Sequence, residues 1–239
     1  MHRVSWPSAL FLLLAAVGSI VGGAAFARKA KTPPYAPKID PARFVARVDH
    51  PYFPLLPGTR WVYRETIGNK TSVDEMTVMP ETRVIQGVTC TVVHDILKHG
   101  EDVVEDTMDW YAQDDVGNVW YFGEDTKEYF PHGRVSTEGS WEAGTKGCQP
   151  GIIMLAQPAR GEPYRQEYGR GVAEDMGQVV ELRMAVTVPY GTFEDCVKTK
   201  DWSMLEAGHE FKWYAKGIGF VRSESSSKEV SELVSFTHP

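Results

Sequence analysis

Asp109-Trp110-Tyr111-Ala112-Gln113-Asp114-Asp115-Val116-Gly117-Asn118-Val119-Trp120-Tyr121-Phe122-Gly123-Glu124 is the stretch that decides the fold class. Two aromatic-rich runs, each long enough for a strand, flank a polar connection of Asp, Gly and Asn, the chemistry of a hairpin turn. Placing Gln113 opposite Asn118 puts Asp109, Tyr111, Gln113, Asn118, Trp120 and Phe122 on one face, and Met108, Trp110, Ala112, Val119 and Tyr121 on the other. The second set is an ordinary core face. The first mixes aromatic planes with amide and carboxylate groups, as a pocket for a sugar or another partly apolar ligand does. Asp109, Tyr111, Gln113 and Trp120 are therefore the candidate ligand-binding residues; the alternative is a solvent-facing ladder of cross-strand aromatic pairs. A loop one residue longer or shorter changes which aromatics share a face.

Outward from this hairpin, the chain from Arg60 to Phe236 reads as short strands with period-two alternation, punctuated by Gly68-Asn69, Gln86-Gly87 and His99-Gly100. Val180, Leu182, Met184, Val186 and Val188 alternate with Glu181, Arg183, Ala185 and Thr187, giving one core face and one wet face, as in an antiparallel sheet. No long apolar stripe of helical period occurs, and Gly171 to Gln178 is the best helical candidate. The expectation is an all-β antiparallel meander forming a barrel or strongly curved half-barrel. The Gly- and Pro-rich stretch from Ser140 to Glu162 is expected to be a long loop covering one end.

Met1 to Ala27 has the layout of a secretory signal: Arg3, an apolar run from Ala9 to Val21, and Ala25-Phe26-Ala27 as a small-x-small cleavage site. The reading is an exported chain, periplasmic or extracellular, with no stable membrane anchor after cleavage. An uncleaved anchor is the alternative, against which the apolar run is short. Residues 28–50, rich in Lys, Ala and Pro, read as a flexible arm, and residues 51–239 as a single β-rich domain. The net charge of −7 and the lack of any Lys/Arg block argue against nucleic acid as a partner.

Cys90, Cys148 and Cys196 are an odd set for an oxidising compartment. Cys90 and Cys196 lie in strand-like runs, and a disulfide between them is the favoured pairing, because closing so long a loop constrains the unfolded chain strongly. Against that pairing, alternation places Cys196 with Glu194, Lys198 and Lys200. No HxH, no HExxH and no paired-Cys spacing is present, so no metal site is expected; nor does any Gly-rich phosphate loop or nucleophile motif imply a cofactor or a hydrolytic serine. The acidic constellation Glu167, Glu174 and Asp175 is the candidate catalytic set. Paired carboxylates at a barrel mouth serve as general acid and base, and a charged surface turn is the bland alternative.

Gly58-Thr59-Arg60-Trp61-Val62-Tyr63, Asp109 to Asp114, Gly117 to Glu124, Ser140-Trp141-Glu142-Ala143-Gly144 and Val188-Pro189-Tyr190-Gly191 together resemble a family of bacterial exported proteins of unknown function. The resemblance covers about Tyr52 to Val234 and extends, more loosely, to curved-sheet periplasmic domains that begin with a Gly-x-x-Trp-x-Tyr strand. It implies export and a curved sheet, and it assigns no catalytic residues. Two functions stay open at this point: a barrel binding an apolar or carbohydrate-like small ligand, or an extracytoplasmic enzyme acting on a polysaccharide or secreted metabolite through Glu167, Glu174 or Asp175. A structural role in an envelope assembly is a third.

Overall fold

The computed structural model describes residues 35–239; the expected signal segment and the start of the expected arm lie outside the described residues. The strands, in chain order, are β1 (Phe44–Val45), β2 (Val48–His50), β3 (Phe53–Leu55), β4 (Arg60–Ile67), β5 (Lys70–Ile85) and β6 (Val88–His99). Next come β7 (Asp102–Asp114), β8 (Val119–Tyr129), β9 (Val135–Ser136), β10 (Trp141–Glu142), β11 (Gln149–Met154) and β12 (Tyr164–Arg165). The last are β13 (Glu167–Tyr168), β14 (Asp175–Val188), β15 (Gly191–Ser203), β16 (Glu210–Ala215), β17 (Gly219–Ser225) and β18 (Glu229–Thr237).

All pairings are antiparallel, and the main sheet runs β12-β14-β15-β16-β17-β18-β4-β5-β6-β7-β8-β11-β13. Its two edges belong to one short run of chain. β12 pairs with β14 at one edge, β13 pairs with β11 at the other, and Gln166 stands between them. The Gln166 amide donates to the Asp175 carbonyl at 2.9 Å, and its backbone packs on Gly151 of β11. The sheet is thereby bent into a barrel with one seam, which leaves little free edge for other chains to pair with.

β5 is one long strand interrupted by a bulge between Val78 and Thr82, and Gly171 to Gln178 is a turn leading into β14 rather than a helix. Residues 178–175 pair with Lys200 to Ser203, and a strand partner decides what a short Gly-flanked segment becomes. The Ser140 to Glu162 stretch contributes β10 and β11 to the wall beside β8.

Residues 35–55 pack on the barrel. Phe44 of β1 meets Phe122 and Trp120, and the β2–β3 hairpin buries Val48, Phe53 and Leu55. Phe53 touches Tyr111 of β7 at 5.4 Å and Tyr214 of β16 at 6.2 Å between ring centres. Contact with two separated parts of the wall makes this hairpin a plug at one end of the barrel.

Candidate functional site: the barrel lumen

Each wall strand changes character along its inward face at the same level. On β4 the inward residues run Trp61, Tyr63, Glu65; on β5, from the same end, Val78, Met76, Asp74; on β6, Val93, then Asp95. On β7 they run Tyr111, Asp109, Thr107, Glu105, facing Tyr121, Glu124, Thr126 and Glu128 on β8. The half near the plug is apolar and aromatic. The half toward the loops 68–69 and 100–101 is lined by carboxylates and hydroxyls.

These carboxylates form a continuous chain of influence around the lumen. Glu65 is acted on by Asp74 and Glu229, Asp95 by Asp74 and Asp109, Glu167 by Asp175 and Glu124, and Glu210 by Asp201. Burial, with like charge beside it, holds the Glu65, Asp95, Asp109 and Glu167 carboxyls well above the usual range. The same causes raise Asp74 to about 6 and Asp175 to about 7, and burial with Glu210 nearby raises Glu229 to about 7.

One ammonium enters this chain. Lys212 Nζ lies 3.3 Å from Glu210 Oε2 and 3.5 Å from Asp201 Oδ2, and all three side chains are buried or nearly so. Burial alone would lower the Lys212 pKa, but the two carboxylates outweigh it and raise it. Elsewhere Asp109 Oδ1 accepts from the Tyr121 hydroxyl at 2.6 Å, and the Tyr121 ring stacks on Tyr111 with centres 4.9 Å apart. Not every lumen group is served within the fold. Ser231 Oγ, Asp109 Oδ2, Glu229 Oε2 and Tyr164 Oη are buried without a hydrogen-bond partner among the described residues.

The candidate residues divide according to register. Asp109 and Tyr111 point into the lumen, as expected. Trp120 does not: Gln113 pairs with Val119, not Asn118, and a bulge at Phe122 sets Tyr111 opposite Tyr121 and Trp110 opposite Gly123. The Asp114 carboxylate causes the shift by accepting from Val116 N, Asn118 N and Asn118 Nδ2, which widens the loop. Trp120 Nε1 also donates to Asp114, at 2.9 Å, so Trp120 lies on the outer face against Phe44 while Tyr121 takes the inward place. Gln113 is occupied by β2 of the plug: its amide exchanges two hydrogen bonds with Asp49, at 2.9 and 3.0 Å.

Glu167 and Asp175 are both inward and Asp175 raises Glu167, whereas Glu174 is half-buried, accepts from Gly171 N and lies 4.0 Å from Arg165. The disulfide is a correction. Cys90 and Cys196 are free thiols, as is Cys148. Cys90, on β6, sits by Arg83 and Glu142; Cys196, on β15, sits by Glu194 and Asp195, and β16, β17, β18, β4 and β5 separate the two strands. Among the described residues no group of three or more His, Cys, Asp and Glu converges on a metal-sized point.

Glu65, Asp74, Asp95, Glu210, Lys212 and Ser231 were not among the candidates. The signal for them is an inward position in the alternation, Trp61-x-Tyr63-x-Glu65 being the clearest, once closure of the sheet is known.

No family model matches this chain, and no curated protein matches it. A solved structure from Bacteroides fragilis NCTC 9343, whose name gives export and a YmcC-like fold, is similar to it at 16% identity, covering 78% of this chain and 99% of that one with a TM-score of 0.47.

Proposed function

We propose that this chain is an exported β-barrel that binds a small polar ligand, carbohydrate-like in having both hydroxyl-type and apolar faces, inside its lumen. The observation that carries this is the set of buried, unpartnered atoms, Ser231 Oγ, Asp109 Oδ2, Glu229 Oε2 and Tyr164 Oη. Each such group costs about 1–3 kcal/mol when left unmade, and folded proteins rarely keep several on one surface unless something else meets them. Tyr63, Tyr111 and Tyr121 supply flat apolar walls beside them. Export rests on the layout of residues 1–27 and is tested by fusing that segment to a reporter enzyme active only outside the cytoplasm.

Ligand binding is tested with a thermal-shift panel of neutral sugars, amino sugars, diols, diamines and hydroxy acids. Compounds that raise Tm are then rerun on Ser231→Val, which replaces the unpartnered hydroxyl by a methyl and adds a second methyl, and on Trp120→Ala outside the barrel. The expected result is a shift that Ser231→Val abolishes and Trp120→Ala keeps. No shift with any compound, or a shift indifferent to Ser231→Val, refutes the lumen site.

A second reading is favoured by Glu167 and Asp175: two inward carboxyls, both raised by burial and with Asp175 raising Glu167 further, are the arrangement of a general acid and base near neutral pH. For an enzyme acting on a polysaccharide or secreted metabolite, Glu167→Gln and Asp175→Asn should stop turnover while ligand-induced thermal shifts persist.

A further inference from the structure

We propose that the ligand of this lumen is a small organic cation whose primary ammonium sits at the Glu65–Ser231 pair, with Asp74 and Asp95 on the two strands beyond. The inference rests on the reading of the lumen as a ligand site and names the chemistry it takes.

Lys212 is the template for the argument. On the β15–β16 part of the wall the fold places a primary ammonium against Asp201 and Glu210, 3.5 and 3.3 Å away, and so balances two buried carboxylates. The β18–β4–β5–β6 part has the same composition without the cation. Glu65 and Ser231 are cross-strand partners, Asp74 is the next inward residue on β5 beside Tyr63, and Asp95 lies opposite Met76 one strand further. All four side chains are at least nine-tenths buried. Among the described residues none of the three acids makes a salt bridge, and the charges acting on Glu65 and Asp95 are carboxylates. Burial is the first cause of their raised pKa values and like charge adds to it, while Asp74 and Asp95 share a hydrogen bond that favours the proton on Asp95.

Ser231 supplies the independent observation. Its Oγ is buried with no partner among the described residues, on the same inward level as Glu65, and offers an acceptor to a donor. A primary ammonium has three N–H donors and no acceptor, which matches carboxylates plus one hydroxyl oxygen. A quaternary ammonium has no N–H for Ser231. A divalent metal needs oxygens converging to within about 2.0–2.6 Å of one point, and the described carboxylates are spread along the wall instead. The same ammonium chemistry occurs in aliphatic polyamines and in amino sugars, so the test carries both.

The experiment is isothermal titration calorimetry on the mature chain at pH 7.5 and low salt. Putrescine and glucosamine are compared with their neutral counterparts 1,4-butanediol and glucose, and with calcium chloride. The variants are Asp74→Asn, Asp95→Asn and Ser231→Val; the first two remove like charge and so relieve repulsion in the fold. The expected result is that putrescine or glucosamine binds at least tenfold more tightly than its neutral counterpart, and that Asp74→Asn or Asp95→Asn weakens it tenfold or more. Binding by putrescine alone assigns a polyamine; binding by glucosamine alone assigns an amino sugar. Equal binding of amine and neutral counterpart, lost in Ser231→Val, overturns the ammonium assignment while leaving the lumen site standing. Calcium binding lost in Asp74→Asn without amine binding also overturns it, and so does amine binding that all three variants leave unchanged. If none of these compounds binds and the wider panel also produces no shift, the lumen site falls with it.

Discussion

Lys212 is held between Asp201 and Glu210 with its side chain 9% exposed, so its charge is balanced by groups that water scarcely reaches. In such a cluster the energetic asymmetry is large: replacing all partners with apolar groups is often neutral, whereas removing one leaves an uncompensated charge and costs about 3–5 kcal/mol. Lys212→Met should therefore lower the urea-unfolding free energy by about that amount at pH 7.5. Adding Asp201→Asn should recover part of the loss, because it removes one of the carboxylates that the lysine leaves behind. Additive losses in the double variant would show that Lys212 stabilises the barrel through its aliphatic stem alone.

At the level of elements, closure depends on close backbone approach at the seam. A Cβ on Gly151 of β11 would collide with the Gln166 carbonyl, and Gln166 in turn donates to Asp175 of β14. Gly151→Ala should force β11 away from the 164–168 run, cost roughly 2 kcal/mol or more through overpacking, and speed hydrogen exchange at the Gln166 amide before that of β5 or β6 amides. Unchanged exchange at Gln166 would mean that the seam is held from elsewhere.

The same elements show what could be read from the chain. Period-two alternation and Gly/Asn punctuation were enough for an antiparallel, barrel-like all-β fold, because both follow from the pleat and from turn geometry. The face of the hairpin was only half legible. Asp109 and Tyr111 precede the turn and keep their side, while Trp120 follows it and changed side when Asp114 widened the loop. Such a hydrogen-bond network has no periodicity for a sequence pattern to reveal.

Across the whole molecule, the acidic lumen escaped the sequence for a related reason. In an open sheet the polar alternates of a strand face water, and Glu65, Asp74 and Asp95 carry no mark that distinguishes them from solvent-facing residues. Closure of the sheet turns them inward, and burial then reverses the usual dependence of stability on pH. A carboxyl whose folded pKa is raised binds its proton more tightly in the folded state. Its stabilising contribution is complete below the unfolded value near 4 and is lost as pH rises through the folded value. Asp74 at about 6, Asp175 at about 7 and Glu229 at about 7 place that loss between pH 4 and 7, and Glu65, Asp95, Asp109 and Glu167 add to it in the same direction. Each pKa unit corresponds to about 1.4 kcal/mol, so the buried Asp74 and Asp175 alone make the loss of order a few kcal/mol. Two groups act in the opposite sense. Glu75 is held below the usual range by Arg60 and so favours folding as pH rises through its titration, and burial lowers the His50 pKa, so that its contribution is lost as pH falls. They are fewer, and Glu75 is solvent-screened. The ligand-free barrel should therefore melt highest near pH 4.5–5 and lose Tm steadily toward pH 8, when scanned by calorimetry in matched ionic strength. Asp74→Asn combined with Asp175→Asn should flatten that slope. A Tm that instead rises from pH 5 to 8 would mean that the lumen carboxylates ionise freely inside the folded barrel, and the charge argument for a cationic ligand would lose its footing with them.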